Sequence, residues 1–150
     1  MKEVGNMPEG FNFFYKLRVR YHEVDSQRIV FNANYLFYLD IAWTEYLRHL
    51  GLDYAKLSEA NEFDTVVVKT VLEYKKPAYF DEILQIFVRI VEMGNSSFRV
   101  EFLIYKDESE ILVLKGETIY VTYFPRTAST GPIPGRIRKI FSEFEGLNNQ

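Results

Sequence analysis

The sequence predicts an α+β domain in which a curved antiparallel sheet of about five strands wraps a central apolar helix, with a further helix at the C-terminus. Three features lead there. A stretch ending at Gly51 is apolar on almost every side when read at 3.6 residues per turn. Four long runs with period-two alternation follow it, between about residues 63 and 124. The chain then closes on a stretch whose apolar residues share one helical face. A helix apolar all round must be enclosed on more than one side, and a sheet curled about it does that.

The first ten residues, MKEVGNMPEG, are polar and hold Gly5, Pro8 and Gly10, so they read as a loose arm on a single domain spanning 1–150. From Asn12 the pattern alternates. Phe13, Tyr15, Leu17, Val19 and Tyr21 form one face, with Phe14, Lys16, Arg18, Arg20 and His22 on the other, a half-buried strand. The turn Glu23-Val24-Asp25-Ser26-Gln27 places Asp25 at its centre, and the short apolar run Ile29-Val30-Phe31 follows. Asn32 and Asn34 are both suited to cap a helix start, because a side-chain amide oxygen accepts from the free N–H groups of the first turn. The helix runs to about Leu50, where Gly51 supplies a left-handed stop. Arg48 and His49 suit the negative end of its dipole, and Glu45 is spaced to pair with either.

A short helical turn is expected over 53–60. The next strand sets Val66, Val68, Thr70, Leu72 and Tyr74 on one face and leads to a turn between Pro77 and Asp81. Strands over 82–92 and 98–106 are separated by Gly94-Asn95-Ser96, and a last strand over 111–124 carries Gly116 at its middle, where a bulge or sharp bend is expected. After the loop RTASTGPIP, Ile137, Ile140, Phe141 and Phe144 line up as the apolar face of the terminal helix, while Arg136, Arg138 and Lys139 lie mostly off it, as a solvated side.

Composition narrows the function. A net charge of −3 gives no electrostatic case for nucleic acid. The absence of cysteine removes disulfides, thiolate zinc sites and a thiol nucleophile. His22 and His49 are too far apart for a local metal motif. No apolar run is long enough to span a bilayer and no signal peptide opens the chain, so a cytoplasmic protein is expected. Aromatic residues at 17% mean a dense core, a subunit interface or an apolar pocket.

The chemistry centres on Asp25. A helix N-terminus presents free N–H groups that favour developing negative charge, and an acid at close range would act on a carbonyl docked there as nucleophile or as general base toward water. An aspartate in a turn is most often an ordinary turn or cap residue.

Residues 18–40 resemble the signature of hotdog-fold acyl-CoA thioesterases of the 4-hydroxybenzoyl-CoA thioesterase type, which include the YbgC-like proteins. Val19, Tyr21, Asp25, Ile29-Val30, Tyr35, Tyr38 and Leu39-Asp40 carry the likeness, and EYKKPAYFDEI and RTASTGPIPGRIRKI resemble later segments of the family. The resemblance implies a hotdog fold and hydrolysis of acyl-CoA to free acid and coenzyme A, without a metal or redox cofactor. It implies Asp25 as nucleophile or general base and the backbone N–H of Asn32 as oxyanion donor, with Arg28 and Tyr35 against the substrate. It further implies a homo-oligomer, dimer or tetramer, paired through its sheets. Four positions depart from the family pattern: Val24 stands where Thr or Cys is common, Arg28 where Gly is usual, Asn32 where His or an aromatic is frequent, and Trp43 where Arg is common. Arg28 would either obstruct the pocket or read an anionic substrate. Two other readings compete: a hotdog acyl-thioester dehydratase or hydratase, with His22 near Asp25, and a non-catalytic acyl-CoA-binding protein of the same fold.

Overall fold

The computed structural model describes residues 7–147. In chain order the elements are β1 (Phe14–Arg18), α1 (Asn34–His49), α2 (Tyr54–Glu59), β2 (Thr65–Tyr74), β3 (Ile83–Met93), β4 (Ser97–Lys106), β5 (Leu112–Phe124), β6 (Ser129–Thr130) and α3 (Gly135–Glu145). The sheet runs β1-β3-β4-β5-β2 with every pairing antiparallel, and the two-residue β6 lies on the end of β5. It curls round α1 as expected. Residues 1–6 of the expected arm lie outside the described residues. Just beyond them the chain is anchored: Phe11 N–H donates to Pro8 C=O (3.1 Å), and Phe11 is buried against Phe87 under the Arg89 guanidinium.

Alternation produces the two-faced strands. Phe98, Val100, Phe102 and Ile104 of β4 and Leu84, Ile86, Val88 and Ile90 of β3 are buried, and they belong to one core with Tyr38, Leu39, Ala42, Trp43, Tyr46 and Leu47 of α1. Trp43 is at the centre, 1% exposed. Its indole stacks on Tyr120 (4.9 Å between centroids, 17°) and Tyr46 (5.4 Å, 14°), with Phe98 and Phe141 beside it. Much of the aromatic excess is therefore core. The apolar face of α3 closes this core through Ile137 and Phe141, while Arg138 ties the solvated side to the Gly94 and Asn95 carbonyls of the β3–β4 turn.

Several local expectations are corrected. The first strand ends at Arg18, and Tyr21–Glu23 form a 3-10 turn that leaves Tyr21 exposed instead of on the core face. Neither asparagine caps α1: the cap position is Ala33, and the Asn34 amide donates to the Glu23 carbonyl (2.8 Å). Gly116 makes no bulge, being in register with Leu72 on one side and Phe102 on the other. A Cβ there would come within 3.2–3.3 Å of Leu72 and Leu39, so the glycine answers the close approach of α1. The bulge in β2 lies at Val67/Lys69, which disrupts the expected alternation and leaves Val67 and Val68 both exposed. The left-handed stop at Gly51 and the short helical turn expected over 53–60 hold closely. Leu52 N–H bonds Leu47 C=O and Gly51 N–H bonds Arg48 C=O, a Schellman stop with Gly51 at φ 79°. Asp53 caps α2 by accepting from Lys56 N–H (3.1 Å).

The connection from β1 to α1 is fixed by Glu23, which is 7% exposed. Its Oε1 accepts from the Arg20 backbone N–H (2.7 Å) and from the Tyr38 hydroxyl (3.0 Å), and its Oε2 from Arg20 Nε and Nη2 (3.0 and 2.7 Å). Its carbonyl accepts from Phe31 N–H (3.0 Å) and from the Asn34 amide. Burial pushes this carboxyl up, but the Arg20 side chain and backbone and the Tyr38 hydroxyl outweigh it and hold it below the usual glutamate range. A depressed acid stabilises the fold above its unfolded-state value, 4.5, and loses that contribution as pH falls through the folded-state value. Glu23→Gln is therefore expected to lower stability by about 1–3 kcal/mol near neutral pH, as for a hydrogen bond to a charged group with partners left unsatisfied. In urea titrations the difference from wild type shrinks below pH 4.5. A constant difference down to acid pH would show that the charge plays no part.

Candidate active site

Residues 24–30 form a tight hairpin. Val24 and Val30 are bridged, Asp25 N–H donates to Ile29 C=O (3.0 Å), and Arg28 N–H donates to Asp25 C=O (2.9 Å). The turn closes because Arg28 adopts a left-handed backbone at φ 66°. Asp25 Oδ1 accepts from Gln27 N–H (2.8 Å), which orients the carboxyl, and among the described residues Oδ2 has no partner. The returning limb is held by Val30 N–H to Ala78 C=O (2.9 Å).

The chain then turns into α1. Phe31 C=O accepts from Asn34 N–H (2.9 Å) and Ala33 C=O from Leu36 N–H (3.2 Å). Among the described residues the backbone N–H groups of Asn32 and Ala33 have no acceptor. These are free donors at the positive end of a 16-residue helix.

Asp25, Asn32 and Tyr35 line one cleft of about 410 Å³ with Gln27, Ile29, Val30, Tyr74, Lys75, Lys76 and Pro77. Arg28 is not among its lining residues, since the left-handed turn carries it to the exposed tip. His22 is also outside the cleft, exposed on the 3-10 turn. Tyr35 is buried, and desolvation pushes its phenol up to about 12 despite a backbone hydrogen bond at Ala78, so it is neutral at physiological pH. Behind it Tyr38 is raised further, first by burial and then by Glu23. Larger clefts of about 580 and 570 Å³ lie elsewhere, lined by Thr44, Arg48, Tyr54 and Asp64 and by Leu36, Phe37, Val67 and Val68 respectively. Neither is lined by the free helix-start amides, so size does not pick out the site. Among the described residues no group of three or more histidine, cysteine or acidic side chains is placed to hold a metal ion.

Sequence reasoning singled out Asp25, Asn32 and Tyr35, which the fold brings together, and missed Tyr74, Lys75 and Lys76. The missed residues lie at the end of the edge strand and just beyond it, some 40 positions later in the chain. Their signal was the EYKKP segment, whose approach to Asp25 depends on how β2 pairs. Lys75 is held by Glu73 (2.9 Å), whereas Lys76 has no ion-pair partner among the described residues.

A non-glycine residue in the left-handed region costs about 1–2 kcal/mol, partly offset in glycine by its extra unfolded-state freedom. Arg28→Gly is therefore expected to raise stability by about 0.5–1 kcal/mol in denaturant titration. A loss of stability would mean that the guanidinium holds the turn.

The sequence profile described as the thioesterase-like superfamily matches residues 19–141. The acyl-CoA thioester hydrolase YbgC of Escherichia coli O6:H1 is 29% identical over 133 residues, 89% of this chain and 96% of its own. The acyl-CoA thioesterase YbgC of Haemophilus influenzae is 30% identical over 95 residues, 63% of this chain and 68% of its own. A thioesterase from Thermus thermophilus, crystallised with coenzyme A and Zn, superposes with a TM-score of 0.78 at 27% identity, covering 94% of this chain and 99% of that one. The curled sheet around a central helix is the hotdog fold of these enzymes. This chain belongs to the thioesterase-like superfamily.

Proposed function

We propose that the protein is an acyl-CoA thioesterase, hydrolysing an acyl-CoA thioester to the free carboxylic acid and coenzyme A. The observation that carries this is the meeting, in one cleft, of the Asp25 carboxylate and the free Asn32 N–H at the start of α1. Docked there, the thioester carbonyl oxygen accepts from the Asn32 amide, which opposes the charge that develops as the carbon becomes tetrahedral. Asp25 presents the oxygen not engaged by Gln27. It either attacks the carbonyl carbon directly or takes a proton from a water that attacks it. The C–S bond breaks, the sulfur leaves as coenzyme A thiolate and is protonated, and the acyl carbon keeps the new oxygen as the acid. In the direct route water then opens the acyl–Asp25 intermediate. Tyr35, neutral and buried, forms an apolar wall for the acyl group. Arg28 at the turn tip meets substrate beyond the cleft, where it would read an anionic acyl group. The reaction draws on no metal or redox cofactor and on no nucleic acid, and the cytoplasm is its proposed location. Among the described residues no helix is long and apolar enough to cross a membrane.

A homo-oligomer is part of the same proposal. Among the described residues β2 is paired on one side only, by β5. Beside its free edge Leu36 and Phe37 of α1, with Val67 and Val68, surround the 570 Å³ groove, and Phe37 is 65% exposed. That departs from a helix enclosed on all sides within one chain, and a second copy laid along β2 would complete the enclosure.

Two measurements test this reading. Purified protein given acetyl-, hexanoyl-, palmitoyl- and benzoyl-CoA is expected to release free thiol from at least one, and Asp25→Asn is expected to lower that turnover by about 10²–10⁴-fold. Equal turnover by the variant would remove Asp25 from its role. Light scattering is expected to give at least twice the 17.8 kDa chain mass, falling toward one chain in Val68→Asp. A monomeric wild type would remove the oligomer.

A further inference from the structure

The geometry points to Tyr74 as a positioning residue for the helix start that carries the oxyanion donor Asn32 N–H, an inference that rests on the thioesterase reading. Tyr74 is the last residue of β2, paired with Leu114, and its side chain crosses from the sheet edge to the start of α1. Its hydroxyl donates to the Asn32 carbonyl (3.1 Å), joining positions 42 apart in sequence.

Two features make this contact more than a surface hydrogen bond. The first bonds of the helix skip Asn32: Asn34 N–H takes Phe31 C=O and Leu36 N–H takes Ala33 C=O. Among the described residues the Asn32 carbonyl therefore accepts from Tyr74 and from no backbone N–H. That carbonyl shares a rigid peptide plane with the Ala33 N–H, which points the opposite way because the peptide is trans. Anchoring the oxygen from the sheet side sets the direction of the Ala33 donor and restrains the Asn32 donor one residue before it. Tyr74 thus acts on the free amides from behind.

The ring is itself fixed. Tyr35, 3% exposed, meets it edge to face (5.7 Å between centroids, 70°), so a buried wall of the cleft sets its orientation. Tyr74 is 53% exposed and contributes little to the core. Its one hydroxyl proton is committed to Asn32, so it is not itself a donor to substrate. A residue of this kind acts through the backbone it holds, on the transition state more than on binding.

The test is Tyr74→Phe, which keeps the ring and its contact with Tyr35 and removes the hydroxyl. With the acyl-CoA that wild type turns over best, kcat is expected to fall about tenfold while KM stays within about twofold and Tm within about 2 °C. The loss should recur on every acyl-CoA that wild type accepts, because the Asn32 N–H meets the thioester carbonyl and not the acyl group. An unchanged kcat would overturn the inference and leave the thioesterase reading intact. A change confined to KM would overturn it as well, placing Tyr74 against substrate. A wild type that releases no thiol from any of the four acyl-CoAs would remove the thioesterase reading and this inference with it.

Discussion

The buried Glu23 carboxylate is the constraint on which the functional end of the molecule depends. It sits where the chain leaves the sheet, and each of its oxygens is engaged: by the Arg20 side chain and backbone, and by the Tyr38 hydroxyl from the helix that starts eleven residues later. Its carbonyl holds Phe31 and Asn34 at the helix start. One residue therefore fixes both ends of the segment that carries Asp25 between them. A charge so buried is tolerated because its hydrogen bonds replace those of water. The cleft uses this arrangement, since the hairpin that carries Asp25 and the helix start that carries the Asn32 amide are both joined to Glu23.

This knot explains why the helix start misleads a reading of the sequence. Asn32 and Asn34 have the right chemistry for caps, and the rule that side-chain oxygens accept from free N–H groups is sound. Here Asn34 turns its amide the other way and donates to Glu23, because the incoming segment already occupies the capping region. The period-two runs, the left-handed stop at Gly51 and the apolar stripe of α3 were legible, since each is a local consequence of its own residues. Bulges were not: nothing in TVVVKTV distinguishes Val68 from its neighbours, and the extra residue is defined only by β5 beside it. Glu23 itself reads as a turn acid until Tyr38 is seen folded against it.

The hairpin around Asp25 shows strain and orientation serving one end. Arg28 holds a left-handed conformation that glycine would adopt freely, and the result is a closure tight enough for Gln27 N–H to bind the Asp25 carboxyl. The same backbone directs Arg28 to the exposed tip, out of the cleft. Of the two consequences foreseen for a long cation there, obstruction does not follow from this geometry. Recognition of an anionic group farther along the substrate remains compatible with it.

The edge strand ties these features to the rest of the fold. β2 ends at Tyr74, beside the helix start, and passes Val67 and Val68 alongside the open face of α1. An exposed apolar edge is a liability for a chain on its own. The bulge at Val67/Lys69 changes which side chains that edge presents, while the far end of the strand delivers a hydroxyl to the Asn32 carbonyl. A single strand thus borders both the surface suited to a second copy and the turn that aims the free amides.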